Sequence, residues 1–342
     1  MSRKSKLLWL SVIVCMLLVA VAGCGSQEAA NGEGEDGEEK VLVLRAGHVV
    51  AEETASHKGY LKWAELIEER SGGKMKMEVY PNSQLGGNRE MLESVQAGSL
   101  DIVQPSLAFL GGFTDKTKLL DLPYLFDDEK DAEAILDGEV GQEILGSLED
   151  QGMKGLCWWF QGWRHTTANK EIRSPEDLKG VKIRVMENAM HIDHFKTLGA
   201  NPIPMAFSEV LTGLQQGVID AQENPYGNIR QSGFYRVNKY IIETKHLYDP
   251  IPVIMSKITW DKLTEEQREI IMETVLEAQA YQRELVQQMD QDDRDAIMAE
   301  GKNEIIELTL EERLKFREAA MPVYEKYEDE IGKDLIDKAL GN

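Results

Sequence analysis

The chain has 342 residues, with 38 Lys plus Arg against 60 Asp plus Glu, a formal net charge of −22 and 42% hydrophobic residues. That apolar content is enough for packed cores over roughly two to three domains and excludes a disordered chain. The acidity disfavours nucleic acid and anionic membrane surfaces as partners, because their phosphates are neutralised by clustered Lys and Arg.

Arg3, Lys4 and Lys6 precede an uncharged apolar run from Leu7 to Gly23, and Cys24 follows Val21-Ala22-Gly23. The run falls short of the roughly 20 residues a spanning helix needs, and small residues before a Cys suit peptidase cleavage. Residues 1–23 are therefore predicted to be a lipoprotein signal peptide. Cys24 becomes the lipid-carrying first residue of the mature chain, which is anchored to the cell membrane without spanning it. Residues 24–40, rich in Gly, Ser, Asn, Ala and Glu, bear no apolar side chain larger than alanine. They form an acidic flexible tether, since such a segment cannot bury enough surface to offset its ordering entropy. Cys15 leaves with the signal, so Cys157 is the one remaining thiol and no disulfide forms within the chain. Its setting, Gly-Leu-Cys-Trp-Trp-Phe, is that of a core residue.

Val41 to Gly47 is predicted to be a strand, followed by a helix over Ser56–Arg70 that carries Tyr60, Trp63, Ala64 and Ile67 at helical spacing. Ser71-Gly72-Gly73 ends that helix, and Met75, Met77 and Val79 alternate with polar residues as in a strand. Asn88 is a candidate cap for a second helix ending at Gly98, and Leu100–Val103 follows as a strand. Farther along, Ser174-Pro175-Glu176-Asp177 forms a capping box with Pro at the first position, ahead of a strand over Val181–Met186. Thr264 with Gln267 opens a long helical stretch to about Glu300. A short strand over Glu304–Leu308 comes next, and Thr309 with Glu312 opens the last helices. This alternation predicts an α/β protein of two lobes with mainly parallel sheets flanked by helices, a long C-terminal helix region, and a ligand cleft between the lobes.

No Walker-A loop, G-x-S-x-G, H-E-x-x-H or C-x-x-C occurs in the sequence. His191 and His194 lie at helical spacing around Asp193 but lack an evident third ligand, so a polar helix face is preferred to a metal site. Asp290, Asp292 and Asp293 lack the Gly and closing Glu of a calcium loop and fit a solvated helix face. Neither a metal nor a cofactor is expected. Arg184, in Val-Lys-Ile-Arg-Val-Met, lies near the carboxyl end of its strand on the face opposite Val181, Ile183 and Val185. There a guanidinium can grip a ligand carboxylate through two parallel hydrogen bonds, or can instead pair with one of the many acids of the chain. Arg164, in Gln-Gly-Trp-Arg-His, is a second candidate, with a surface cation as its alternative. Asn224, held extended before Pro225, is a third, with a plain turn residue as its alternative.

The strings Tyr80-Pro-Asn-Ser-Gln-Leu-Gly-Gly-Asn-Arg-Glu, Asp121-Leu-Pro-Tyr-Leu-Phe, Asp177-Leu-Lys-Gly-Val-Lys-Ile-Arg, Leu198-Gly-Ala-Asn-Pro-Ile-Pro-Met-Ala-Phe-Ser-Glu-Val and Gln222-Glu-Asn-Pro closely resemble TRAP-transporter solute-binding proteins of the DctP family. The resemblance runs in order from about Val41 to the last helix. It implies a periplasmic-binding-protein-like fold, with lobe I over 41–161 plus about 250–289 and lobe II over 162–249 plus about 290–342. It further implies an extracytoplasmic protein that closes on a small organic acid and hands it to the small and large membrane subunits of a sodium-coupled permease, catalysing nothing. By the same resemblance Arg184 clamps the ligand carboxylate, Arg164 and Asn224 assist, and Phe207 lines the pocket. His48, at the end of the first strand, is either a polar ligand contact or a helix-entry residue.

Gln104-Pro105 stands where sialic-acid binders of this family carry an acid, and Glu187 stands near Arg184 where they carry Pro-Asn. Sialic acid is therefore disfavoured. If Glu187 faces the cleft, it accepts hydrogen bonds from hydroxyls and repels a second carboxylate, while Trp159 or Trp163 can stack on a sugar ring. The ligand expected on this reading is a uronate or aldonate. The alternatives are a C4-dicarboxylate held by both arginines, a sensory subunit that presents its loaded form to a receptor, and an enzyme built on the same scaffold.

Overall fold

The computed structural model describes residues 41–340. Residues 1–40, on which the predicted signal peptide, lipid-bearing Cys24 and acidic tether fall, lie outside the described residues. Within them no helix is long and apolar enough to cross a membrane.

Eleven strands form two sheets. The first contains β1 (Leu42–Gly47), β2 (Met75–Tyr80), β3 (Ile102–Val103), β4 (Met153–Trp163) and β10 (Tyr248–Ser256), in the order β2-β1-β3-β10-β4. The second contains β5 (His165–Ala168), β6 (Lys182–Val185), β7 (Asn201–Pro204), β8 (Ala221–Asn224), β9 (Tyr240–Glu243) and β11 (Glu304–Glu307), in the order β11-β9-β5-β8-β6-β7. Parallel pairing holds for β1 with β2 and β3, β6 with β7 and β8, and β9 with β11. The remaining pairs, β10 with β3 and β4 and β5 with β8 and β9, are antiparallel, so both sheets are mixed. The departure from a mainly parallel layout has a simple cause. The chain passes directly from strand to strand between the sheets at Arg164 and again over residues 244–247, and each of these two crossings delivers a strand running against its new neighbours, whereas the third crossing, through the helix Glu265–Ala299, delivers β11 parallel to β9.

The helix Ala55–Arg70 buries Tyr60, Trp63, Leu66 and Ile67 against the first sheet, as its 3.6-residue apolar spacing requires. Thr54 caps it by accepting from the His57 amide. Asn88 does not cap the next helix, whose N-cap is Gly87; its Oδ1 instead accepts from the Ser106 amide at 3.1 Å. The capping boxes at Thr264 and Thr309 are both formed, and they open helices Glu265–Ala299 and Leu310–Ile331. That at Ser174 is also formed but opens only a single tight turn, Pro175–Leu178.

The helix Glu265–Ala299 spans 35 residues, about 52 Å at the standard rise. Its first half packs on Ala55–Arg70 and on β4, and its second half on the short helix Tyr226–Gln231 beside the second sheet. After β11 and Leu310–Ile331 the chain turns back, and Leu335, Ile336 and Ala339 enter the core that holds Ile144, Phe160 and Ile254. Cys157 is buried in the core between the first sheet and its helices.

Candidate functional site

One cavity collects residues from both sheets. His48 directly follows β1, and the segment after β3 supplies Gln104 and Ser106; both come from the first-sheet side. The second-sheet side supplies Arg184 and Met186 from the end of β6, Phe207 from the turn after β7, and Asn224 and Asn228 from β8 and its following helix. The crossing segments complete the lining with Gln161, Arg164 and Asp249. Five of the seven predicted ligand residues, His48, Arg164, Arg184, Phe207 and Asn224, are thus brought together.

The two arginines sit in different electrostatic settings. Arg164 Nε donates to Glu223 Oε2 at 2.5 Å, Nη2 to Glu223 Oε1 at 2.9 Å and to Glu223 O at 2.8 Å, and Nη1 to Asp249 Oδ2 at 2.5 Å. Glu223 also accepts from His246 Nε2 at 3.1 Å, and His246 Nδ1 meets Thr244 Oγ1 at 2.8 Å. Burial acts to raise the Glu223 carboxyl, but Arg164 and His246 outweigh it and hold the group well below the usual carboxylate range. Arg164 is the reverse case: burial acts against its charge, and its two carboxylates raise it.

Arg184 has no such partner. It is 2% exposed, and its Nε and Nη2 donate to the Met205 carbonyl at 2.9 and 2.7 Å, with no carboxylate at ion-pair distance among the described residues. Burial pushes its guanidinium down to about 10, opposed by the charges of Glu223 and Glu187 and helped by repulsion from Arg164. A buried cation held by one carbonyl is incompletely compensated.

The remaining lining is polar and partly unsatisfied. His48 Nε2 meets His57 Nδ1 at 3.0 Å and its ring stacks on Tyr60, while its Nδ1 has no partner. Burial and the neighbouring His57 push the His48 imidazole down to about 3, so it is neutral near pH 7. Gln104 Nε2 reaches Ser56 Oγ at 3.4 Å, and its Oε1 is buried without a partner. Asn224 is already committed: its Oδ1 accepts from Asn228 and Arg164 and its Nδ2 donates to Gln222 at 2.6 Å. Phe207 meets Phe234 edge to face at 5.9 Å.

Glu187 and Trp163 are not brought into this cavity. Glu187 is exposed and borders a separate depression with Arg89, Lys118 and Lys326. Trp163 lies on the other face of the crossing strand, donating from Nε1 to Glu129 at 3.1 Å and packing on Tyr248. Trp159 is buried against Tyr60 and Trp63, so neither indole stacks on a ligand in the cavity. The strand's two-residue period accounts for the displacement of Glu187, since it is Met186 that shares a face with Arg184. Away from the cavity, His191 Nε2 is paired with Asp121 at 3.1 Å and His194 stacks on His246. Among the described residues no group of three or more His, Cys, Asp and Glu is placed to hold a metal ion.

Sequence reasoning missed Asp249, Glu223, Gln161, Asn228, Ser106 and Met186. Glu223 lies inside the Gln222-Glu-Asn-Pro string, and Asp249 is a carboxylate in a strand whose every residue is buried. An acid in such a strand demands a cation, which was the available signal.

Two sheets joined by double crossings, with a buried arginine in the cavity between them, define a solute-binding protein of the two-lobed type. A family model described as bacterial extracellular solute-binding protein, family 7 (DctP) matches residues 46–330, and the chain belongs to that family. It is 37% identical over 266 residues to the 2,3-diketo-L-gulonate-binding periplasmic protein YiaO of Escherichia coli, covering 78% of this chain and 81% of that one. It superposes with TM-score 0.86 and 34% identity on a TRAP periplasmic solute-binding protein from Shewanella oneidensis with bound succinate, covering 88% of this chain and 99% of that one. It also superposes, with TM-score 0.85 and 34% identity, on the sugar acid binding protein DctPAm of Advenella mimigardefordensis in complex with galactonate, covering 88% and 97%.

Proposed function

We propose that this protein captures a hydroxyl-rich monocarboxylate, such as an aldonate or uronate, outside the cytoplasm and delivers it to the membrane subunits of a TRAP permease. The solute is bound and released with no bond made or broken. Cys24 carries the lipid that holds the protein at the cell membrane. The observation that carries the ligand class is the contrast between the arginines. Arg184 is buried without a carboxylate, whereas Arg164 already holds Glu223 and Asp249, so the cavity offers one cation to a ligand and not two. The unpartnered Gln104 Oε1 and His48 Nδ1, both buried at the cavity, match the donors and acceptors of sugar hydroxyls. This replaces the argument from Glu187, which lies elsewhere. The diketo-gulonate and galactonate binders among the relatives agree in chemical class.

A C4-dicarboxylate is the second reading, favoured by the likeness to the succinate-bound protein. A thermal-shift panel of galactonate, galacturonate, succinate and sialic acid separates the two. A ligand at a hundred times its dissociation constant adds roughly 2.7 kcal/mol to stability, which raises the melting temperature by several degrees. A shift with sugar acids and none with succinate supports the proposal, and the reverse pattern overturns it.

A further inference from the structure

We propose that Asp249 determines the charge of the ligand: by occupying the Arg164 nitrogen at the cavity, it restricts the site to solutes with a single carboxylate. The inference rests on the reading of the cavity as an organic-acid site with Arg184 as the ligand's cation.

The placement of Asp249 is specific. It is the second residue of β10, and the pairing of β10 with β4 shifts register between Tyr248 and Pro250. That irregularity leaves Asp249 outside the ladder, where a strand side chain can be re-aimed. Its Oδ2 meets Arg164 Nη1, while Arg164 itself is fixed between β4 and β5 by its backbone amide donating to Leu247 O at 2.8 Å. The two acids around Arg164 are not equivalent. Glu223 does not line the cavity and is held from behind by His246, whereas Asp249 lines the cavity. Asp249 therefore stands where a second ligand carboxylate would have to dock.

The charge count agrees. In number the charges of Arg164 and Arg184 are matched by those of Glu223 and Asp249, although both acids pair with Arg164, and His48 is neutral, so one ligand carboxylate takes the site to a single negative charge. A dianion would add a second and bring its far carboxylate against Asp249, a like-charge contact among buried side chains. Without the Asp249 charge, a bound dianion leaves the site at the same total that a bound monoanion leaves it at now. Substitution by Asn is structurally mild, because Arg164 keeps Glu223 and no buried charge is left unpaired. Burial, working against Arg164, also holds the Asp249 carboxyl above its ordinary range, so this site already favours a neutral side chain more than an exposed one does.

The test is isothermal titration of galactonate and succinate into the purified protein and its Asp249→Asn variant, with Arg184→Lys as the control for acid binding. The expected result is that the succinate-to-galactonate affinity ratio rises at least tenfold in Asp249→Asn. A wild-type protein that binds galactonate, with the ratio unchanged in a folded Asp249→Asn, overturns the Asp249 assignment alone. A wild-type protein that prefers succinate with Asp249 intact overturns this assignment and the monocarboxylate reading together. Should Asp249→Asn fail to fold by circular dichroism, Asp249→Ser removes the same carboxylate and is expected to move the ratio the same way. No change there overturns the proposal.

Discussion

Arg164 and Arg184 line one cavity, yet Arg164 is gripped by two carboxylates at 2.5 Å while Arg184 reaches only the Met205 carbonyl. The pairing makes Arg164 part of the frame and leaves Arg184 as the group whose charge is still to be answered.

Arg184→Lys tests that division of roles. A lysine ammonium cannot reproduce two parallel N–H donors, and a close, desolvated charge contact is worth about 2–5 kcal/mol. Titration of the preferred acid should show affinity falling by at least thirtyfold with the melting temperature of the free protein little changed. Near-normal affinity would remove Arg184 from the ligand.

Glu187→Gln should leave ligand affinity within about threefold of wild type, because the side chain is exposed and borders another depression. A tenfold change measured by titration would return Glu187 to the site and revive the hydroxyl-acceptor role its sequence position suggested.

Asn188→Ala examines the contact across the cleft. Asn188 Nδ2 donates to Ala108 O at 2.7 Å and to Asp121 Oδ2 at 3.0 Å, while its Oδ1 caps the helix Ala189–Thr197. The cap alone is worth about 1 kcal/mol, and the bonds to the first-sheet side stabilise the closed arrangement in addition. Ligand affinity should fall about tenfold although Asn188 lies outside the ligand cavity. An unchanged dissociation constant would show that these bonds do not contribute to closure.

Asp290 gives the pH dependence of stability a direction. Burial, aided by Asp293 on the same helix and opposed by Lys245, pushes its carboxyl up to about 7. Between its ordinary value near 3.8 and 7 the native state therefore binds more protons than the unfolded state, so stability falls as pH rises through that window and levels off above it. Asp290→Asn should be more stable than wild type at pH 8, by on the order of a few kcal/mol, with the advantage gone near pH 4. Chemical denaturation at the two pH values measures this, and an equal difference at both would refute the assignment.

Trp159→Ala should cost about 3–5 kcal/mol, since the indole is fully buried against Tyr60 and Trp63 and its removal leaves a cavity. Ligand affinity at a temperature where the variant stays folded should be unchanged. A selective loss of sugar-acid binding would instead place the indole on the ligand.

The local features were legible because their causes are local. Capping boxes at Thr264 and Thr309 satisfy helix ends with side chains three residues apart, and alternation at Met75, Met77 and Val79 marks a strand wherever it lies. The quoted family strings likewise placed Arg184, Asn224 and Phe207, Arg164 stood out in Gln-Gly-Trp-Arg-His, and His48 followed from its place at a strand end; all five do line one cavity. The charge balance of that cavity was not legible. Glu223 and Asp249 lie 59 and 85 residues beyond Arg164 in sequence, and only the paired crossings between the sheets bring them to its guanidinium. Sequence spacing also left Glu187 free to face the cleft, until the strand's own period turned Met186 toward it instead. By itself, then, the sequence determined the class of fold, the capping boxes of the two long C-terminal helices and the presence of an arginine at the carboxyl end of β6, all short-range or motif-borne properties. Which arginine stays unpaired was decided by tertiary structure, because compensation of a buried charge depends on what lies within a few ångströms of it and not on what stands beside it in the chain.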